Sequence, residues 1–266
     1  MKTNVISPEY LKFQEDISRL YKKWLETLSG QEVVKKQVTN TKIYPLLPQQ
    51  ELQTNVKDYR TFIEELSSVV ESHKPELSKD LEKIQSLLND ERLSKWFTEA
   101  IAVNGYYFSD LAKEHQLPQW LPFFVAENAA RPYIQKAAQE LSESMPKEKH
   151  KGACPVCGEP VRLGVINKSG KKEMTCPRCH FSWEVKKISC AHCATEEQGQ
   201  VIILRVEGDE GAEIYACKSC NGYTKVIDTR KLLKVASPEL LDLKSIHLDY
   251  VAQDKGYGMV EDESSH

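Results

Sequence analysis

Along the first half of the chain, apolar side chains recur every three or four residues, the period of a helix with one buried face. Residues 8–28 carry Tyr10, Phe13, Ile17, Leu20, Tyr21, Trp24 and Leu28 on one such face. Ser7-Pro8 supplies an N-cap residue followed by proline at the first helical position. A second stretch places Tyr59, Phe62, Ile63, Leu66, Val69 and Val70 together and ends near Pro75, and a third carries Leu93, Trp96, Phe97, Ala100 and Ile101. A short piece around Tyr106–Lys113 and a longer one from Gln119 to about Ser144 complete the set. Pro122 fits the first turn of that last helix, while Pro132 falls mid-segment and is expected to kink or divide it. Tyr44-Pro45-Leu46-Leu47-Pro48 reads as an extended connector. The pattern predicts an all-α domain of five or six helices. Its apolar stripes are core faces, because no H-x-x-x-H, E-x-x-H or phosphate-binding glycine loop accompanies them.

After residue 152 the period changes to short alternating runs separated by turn residues. The switch follows the charged stretch Met145–Gly152, which sets the domain boundary. The second half repeats itself. Its first unit runs from Cys154-Pro155-Val156-Cys157 through a strand at Val161–Ile166, a turn at Asn167–Gly170 and Glu173-Met174-Thr175 into Cys176-Pro177-Arg178-Cys179. A second runs from Cys190-Ala191-His192-Cys193 through Val201–Leu204, a turn at Gly208–Gly211 and Ile214-Tyr215-Ala216 into Cys217-Lys218-Ser219-Cys220. Each unit is a cysteine knuckle, a hairpin and a second knuckle.

The cysteines carry the chemistry. All eight lie in these four C-x2-C pairs, and the first 153 residues have none. Thiolates hold a soft cation tetrahedrally at about 2.3 Å, and two knuckles complete one shell. Cys154, Cys157, Cys176, Cys179, Cys190, Cys193, Cys217 and Cys220 therefore read as ligands of two metal ions, iron or zinc, each in a four-cysteine site. Sequential pairing follows from the repeat, and a cross-brace of first with third and second with fourth knuckles is its rival. Disulfides are the alternative in an oxidising compartment. The N-terminus has no apolar leader segment, which points to the reducing cytoplasm. Gly158 is expected in a left-handed conformation that turns amides toward sulfur. Phe181, Trp183 and Tyr223 are expected to cover the sites, with His180 and His192 beside the ligands rather than among them.

Composition narrows the function. The 266 residues are 40% hydrophobic and 28% charged with a formal net charge of −3, and no apolar run approaches the roughly 18 residues of a membrane span. Residues 151–235 hold 14 Lys and Arg against 10 Asp and Glu. Each dication in four thiolates adds about −2, which brings the region near neutrality and speaks against nucleic acid. Lys171-Lys172 and Lys186-Lys187 read as short exposed pairs. A thioredoxin-type redox enzyme is disfavoured, since its C-x-x-C opens a helix. The fold class is α+β: an all-α domain at 1–148, a first metal ribbon at 149–188, and a second at 189–266 that includes a short C-terminal helix.

The order of "CPVCGEP", "CPRCHFSW", "CAHC" and "CKSCNGYTK", followed by "SIHLDYVAQDKGYG", resembles the formate dehydrogenase accessory (assembly) protein family, FdhE. The "NAARPYIQKAA" segment, which ends at Ala138, resembles that family's helical domain. The resemblance implies rubredoxin-like metal ribbons and a cytoplasmic, non-enzymatic assembly factor. It also implies a partner, the molybdopterin-bearing catalytic subunit of formate dehydrogenase, and is compatible with a homo-oligomer. The eight cysteines carry over as metal ligands. The alternatives are a rubredoxin-like iron electron carrier or reductase acting on that subunit and, behind it, a zinc-ribbon nucleic-acid-binding protein.

Overall fold

The computed structural model describes residues 5–36, 44–142, 145 and 150–258. They fall into two units, one from Pro8–Asn40 and Leu46–Glu143, the other from Met1–Ser7, Thr41–Pro45 and Ser144–His266. The boundary residues 146–149, and the helix end expected at Ser144, lie outside the described residues.

The first unit is helical: α1 (Pro8–Thr27), α2 (Val56–His73), α3 (Ser78–Leu87), α4 (Asp90–Ile101), α5 (Gly105–Glu114) and α6 (Leu121–Leu141). A small pair of strands, β1 (Val34–Lys36) and β2 (Glu51–Leu52), joins them. Asparagines start three of the helices: the side chains of Asn55, Asn89 and Asn104 accept from the amides of Lys57, Arg92 and Tyr107. The buried faces are mostly those the periodicity marks, with Phe13, Ile17, Tyr21 and Trp24 on α1. Tyr10 is 46% exposed, and Leu20, Val69 and Ile101 are half-buried. α3 carries only Leu81 and Ile84 inward, too short a stripe to stand out from the sequence. The segment read as an extended connector buries Leu46 and Leu47 and forms a 3-10 turn at Leu47–Gln49.

α6 lies at the centre, packed against α1, α2, α4 and α5. Ala126, Ala129, Ala130, Ala137 and Ala138 let those neighbours approach. Of the expected kink or division at Pro132, division does not occur: one helix runs through it. A proline inside a helix costs about 3 kcal/mol. Burial on several sides offsets it here: Tyr133, next in sequence, sits edge-on to Phe97 at 5.0 Å and to Tyr59 at 6.3 Å between ring centres.

The second unit is built on one six-stranded sheet. Its strands are β3 (Leu163–Ile166), β4 (Lys172–Thr175), β5 (Ser182–Val185), β6 (Val201–Arg205), β7 (Ala212–Cys217) and β8 (Tyr223–Asp228), in the order β5-β4-β3-β8-β7-β6. Each ribbon thus adds a third strand after its closing knuckle, which the hairpin reading lacks. The ribbons also join head to tail, since β3 of the first pairs in parallel with β8 of the second, Leu163 opposite Lys225 through Ile166 opposite Asp228. All other neighbours are antiparallel.

Two short helices, α7 (Pro238–Lys244) and α8 (Ile246–Asp254), stand where one was expected. They bury Leu241, Leu248 and Ala252 against Leu163, Ile214, Ala216, Tyr223 and Ile227 of the sheet. The strands alternate, so Tyr215, Cys217 and Val226 lie in a different cluster with Cys190.

Candidate metal centres

Each knuckle has the same backbone. The amide of its first cysteine donates to the carbonyl five residues on: Cys154 to Glu159 (2.8 Å), Cys176 to Phe181 (2.9 Å), Cys190 to Thr195 (3.0 Å) and Cys217 to Gly222 (2.9 Å). The residue after the second cysteine is left-handed in all four, with φ of 81° at Gly158, 61° at His180, 61° at Ala194 and 59° at Asn221. Glycine signals only the first of these. At the other three, closure of the knuckle holds a side-chain-bearing residue in a region it ordinarily avoids.

These turns bring the cysteines together in sequential pairs of knuckles. Cys154, Cys157, Cys176 and Cys179 form one group, and Cys190, Cys193, Cys217 and Cys220 the other, each with all sulfurs within 4.8 Å. The nearest approaches are Cys154 to Cys179 and Cys157 to Cys176, both 3.5 Å, and Cys190 to Cys220 at 3.6 Å and Cys193 to Cys217 at 3.8 Å. A tetrahedron with metal–sulfur bonds of about 2.3 Å has edges of about 3.8 Å, so the groups fit one ion each. The same distances are far beyond a disulfide bond, and all eight cysteines are free. Either group could hold a metal ion.

The thiols polarise one another. In the first group, hydrogen bonding from Cys154 favours the thiolate of Cys176 and helps that of Cys157, both lowered, while Cys154 and Cys179 as donors are raised. In the second, burial pushes Cys190 up and Cys220 up to about 11. Burial acts the same way on Cys217, but the amides of Cys220 and Ser219 aim at its sulfur and the balance is lowered. The His192 amide likewise donates to the Cys190 sulfur at 3.3 Å.

Neither flanking histidine is in a cysteine group. His180 Nε2 lies 2.7 Å from Glu239, and His192 Nε2 lies 2.7 Å from the carbonyl of Tyr223. The imidazole of His192 crosses Gly222 so closely that a Cβ there would meet it at 2.8 Å, which accounts for glycine at that position. Tyr223, expected to cover a site, is buried in the cluster with α7 and α8 and not in the one with Cys190 and Cys217, while Phe181 and Trp183, stacked at 6.0 Å, are half-buried.

Two lysines correct the charge reading. Lys172 is 1% exposed, not the surface residue expected; its ammonium donates to the carbonyl of Ser189 at 3.0 Å and lies 4.6 Å from the centre of the Tyr215 ring. Burial brings its pKa down to about 8, against the opposing pull of Cys190. Lys225, on β8, is 2% exposed and pairs with Asp242 and Asp249, each at 2.7 Å. Asp242 also pairs with Arg162, Arg162 with Glu159 beside the first knuckle, and Asp249 accepts from the Tyr223 hydroxyl. Burial alone would raise Asp242; Lys225 and Arg162 hold its carboxyl below the usual range. Lys225 and Asp249 sit in segments that carried the family resemblance and Asp242 and Arg162 lie outside them, yet neither the burial of Lys225 nor its pairing was readable there.

A helical unit together with two four-cysteine groups on a shared sheet defines a two-centre thiolate ribbon protein. The comparisons narrow that class. The crystal structure of the FdhE protein from Pseudomonas aeruginosa shares the fold, with a TM-score of 0.61 over 94% of this chain and 92% of that one at 18% identity. A protein named FdhE homolog from Aquifex aeolicus (strain VF5) is 29% identical over 203 residues, 74% of this chain and 65% of the relative. Another FdhE homolog, from Pseudomonas aeruginosa, is 33% identical over 114 residues, 39% of this chain and 36% of the relative. The matched chain thus spans less than two thirds of the length of either curated relative. No protein-family model matches. The resemblance to the FdhE family is borne out by these relatives. No helix among the described residues is long and apolar enough to cross a membrane.

Proposed function

We propose that the chain is a cytoplasmic accessory protein that binds the catalytic subunit of formate dehydrogenase and supports its maturation. It is not itself a dehydrogenase. The observation that carries the reading is the pair of preformed four-cysteine groups in a chain whose curated relatives are named FdhE homologs. Cys154, Cys157, Cys176 and Cys179 would hold one ion, and Cys190, Cys193, Cys217 and Cys220 the other. Such an ion cross-links two knuckles and, if iron, also supports one-electron chemistry. The protein's part is to offer a fixed sheet on which both centres and the C-terminal helices are held.

Deleting the gene and measuring formate-dependent dye reduction tests the proposal. Activity is expected to fall, to return with the wild-type gene, and to stay low with Cys154→Ser or Cys217→Ser. The tagged wild-type protein is expected to retain the catalytic subunit. Unchanged dehydrogenase activity in the deletion strain would replace this reading with that of a generic metal-ribbon protein.

A further inference from the structure

The centres differ in which thiols solvent reaches. In the first all four cysteines are buried, at 2%, 8%, 3% and 1% for Cys154, Cys157, Cys176 and Cys179. Pro45 also lies against its opening turn, where a Cβ on Gly158 would meet the proline ring at 3.1 Å. In the second, Cys190 and Cys217 are anchored in an apolar cluster with Ile166, Val201, Tyr215 and Val226. Cys193 and Cys220 are half-buried, and Lys218, Ser219 and Asn221 around the closing knuckle are exposed or half-exposed. The two open thiols are the second cysteines of their knuckles, one from each. The closest approaches they make, 3.8 and 3.6 Å, are also wider than the 3.5 Å of the first centre.

We propose that the second centre is an exchange site for a thiophilic divalent cation, entered and left through Cys193 and Cys220, while the first centre keeps its ion. The inference rests on the metal reading given above. In the exchange an incoming thiol forms a sulfur–metal bond and hands its proton to the sulfur of Cys193 or Cys220, whose own bond to the metal breaks. Bonds and protons balance and no electron moves. Cys190 and Cys217 hold the cation meanwhile and are displaced last in the same way, each taking the proton of an incoming thiol as its own bond to the metal breaks, so the cation passes to the acceptor without being released to water. A thiol freed at Cys193 or Cys220 is met by solvent. One freed in the first centre would stay buried, out of an acceptor's reach.

The test uses the full chain loaded with zinc and challenged with excess chromogenic chelator or a small dithiol. Release is expected in two equal phases, the first faster by about tenfold or more because substitution at a thiolate follows access. Iodoacetamide added during the fast phase should label Cys193 and Cys220 before the other six, read by mass spectrometry. Cys193→Ser and Cys220→Ser should change only the fast phase, and Cys157→Ser only the slow one. Release in one phase, or a fast phase indifferent to Cys193→Ser and Cys220→Ser, overturns the exchange site. Where a variant does not fold, the labelling order in the wild-type protein decides. A chain that takes up neither zinc nor iron overturns the metal reading itself, which separates the two failures.

Discussion

The two centres have the same knuckle backbone but different wrapping. Around the first, the chain lays Tyr44-Pro45 from far upstream, with Tyr44 edge-on to His150 at 4.7 Å and Pro45 on the Gly158 turn. Around the second, Cys190 and Cys217 are buried in the apolar cluster while Cys193 and Cys220 pack half-buried at its edge, next to the exposed Asn221, whose side chain reaches the carbonyl of Gly256 at 2.8 Å. The geometry of the cysteines is therefore a local property, set within about six residues of each knuckle by its closing hydrogen bond and left-handed residue. Accessibility is a property of what distant segments place on top. One sequence motif, used four times, can thus serve a closed and an open site.

Replacing a buried ligand should have the largest effect. Structural thiolate sites contribute about 10 kcal/mol or more of apparent binding energy, more than a few short strands supply. Cys154→Ser is expected to unfold the first ribbon, and chelation of both ions to unfold the sheet while the helical circular dichroism persists. Cys193→Ser should lose less, since water can take the vacated position. Calorimetry of the two variants side by side reads the difference, and equal losses would erase it.

Next comes the buried network that ties both ribbons to α7 and α8. Lys225→Met leaves Asp249 without its cation and Asp242 with Arg162 alone, and breaking such a buried pair costs about 3–5 kcal/mol. Because Lys225 lies opposite Leu163 across the parallel junction, both centres should weaken together. Zinc affinities measured separately would show whether one centre is spared, which would mean that the junction does not couple them.

Glycine substitutions should separate the centres at lower cost. Gly158→Ala meets both a φ of 81° and the Pro45 ring, and Gly222→Ala meets the His192 ring. Each is expected to cost about 1–3 kcal/mol, the first mainly at the closed centre and the second at the open one. Urea midpoints with one centre loaded would report which responds. The smallest effect has the opposite sign: Ala194→Gly relieves a left-handed alanine that costs about 1–2 kcal/mol, less the added freedom of the unfolded chain. It should slightly raise the melting temperature, and a fall would mean that the Ala194 methyl packs usefully.

The knuckles, their sequential grouping and the helical period were legible because each is a local pattern. The missed parts are non-local. β5 and β8 follow the closing knuckles, with no turn of their own to announce a strand, and exist because neighbours pair with them. Lys172 looked exposed because charge in a short doublet ordinarily is; the Ser189 carbonyl and Tyr215, both from the other ribbon, take it inside. The same holds for Pro132, whose penalty is local and whose compensation comes from the helices packed around α6.

The parallel joint between β3 and β8 imposes an order of events on a chain emerging from the ribosome. The first group has all its cysteines once residue 179 is out, but β3 then has β4 on one side and an unpaired edge on the other until residues 223–228 arrive. Such an edge is a template for pairing with the wrong strand. A cation captured early by Cys154, Cys157, Cys176 and Cys179 would fix the nascent hairpin in register while it waits. In a cell short of that metal, misassembly should begin in this interval, before the second centre has been synthesised.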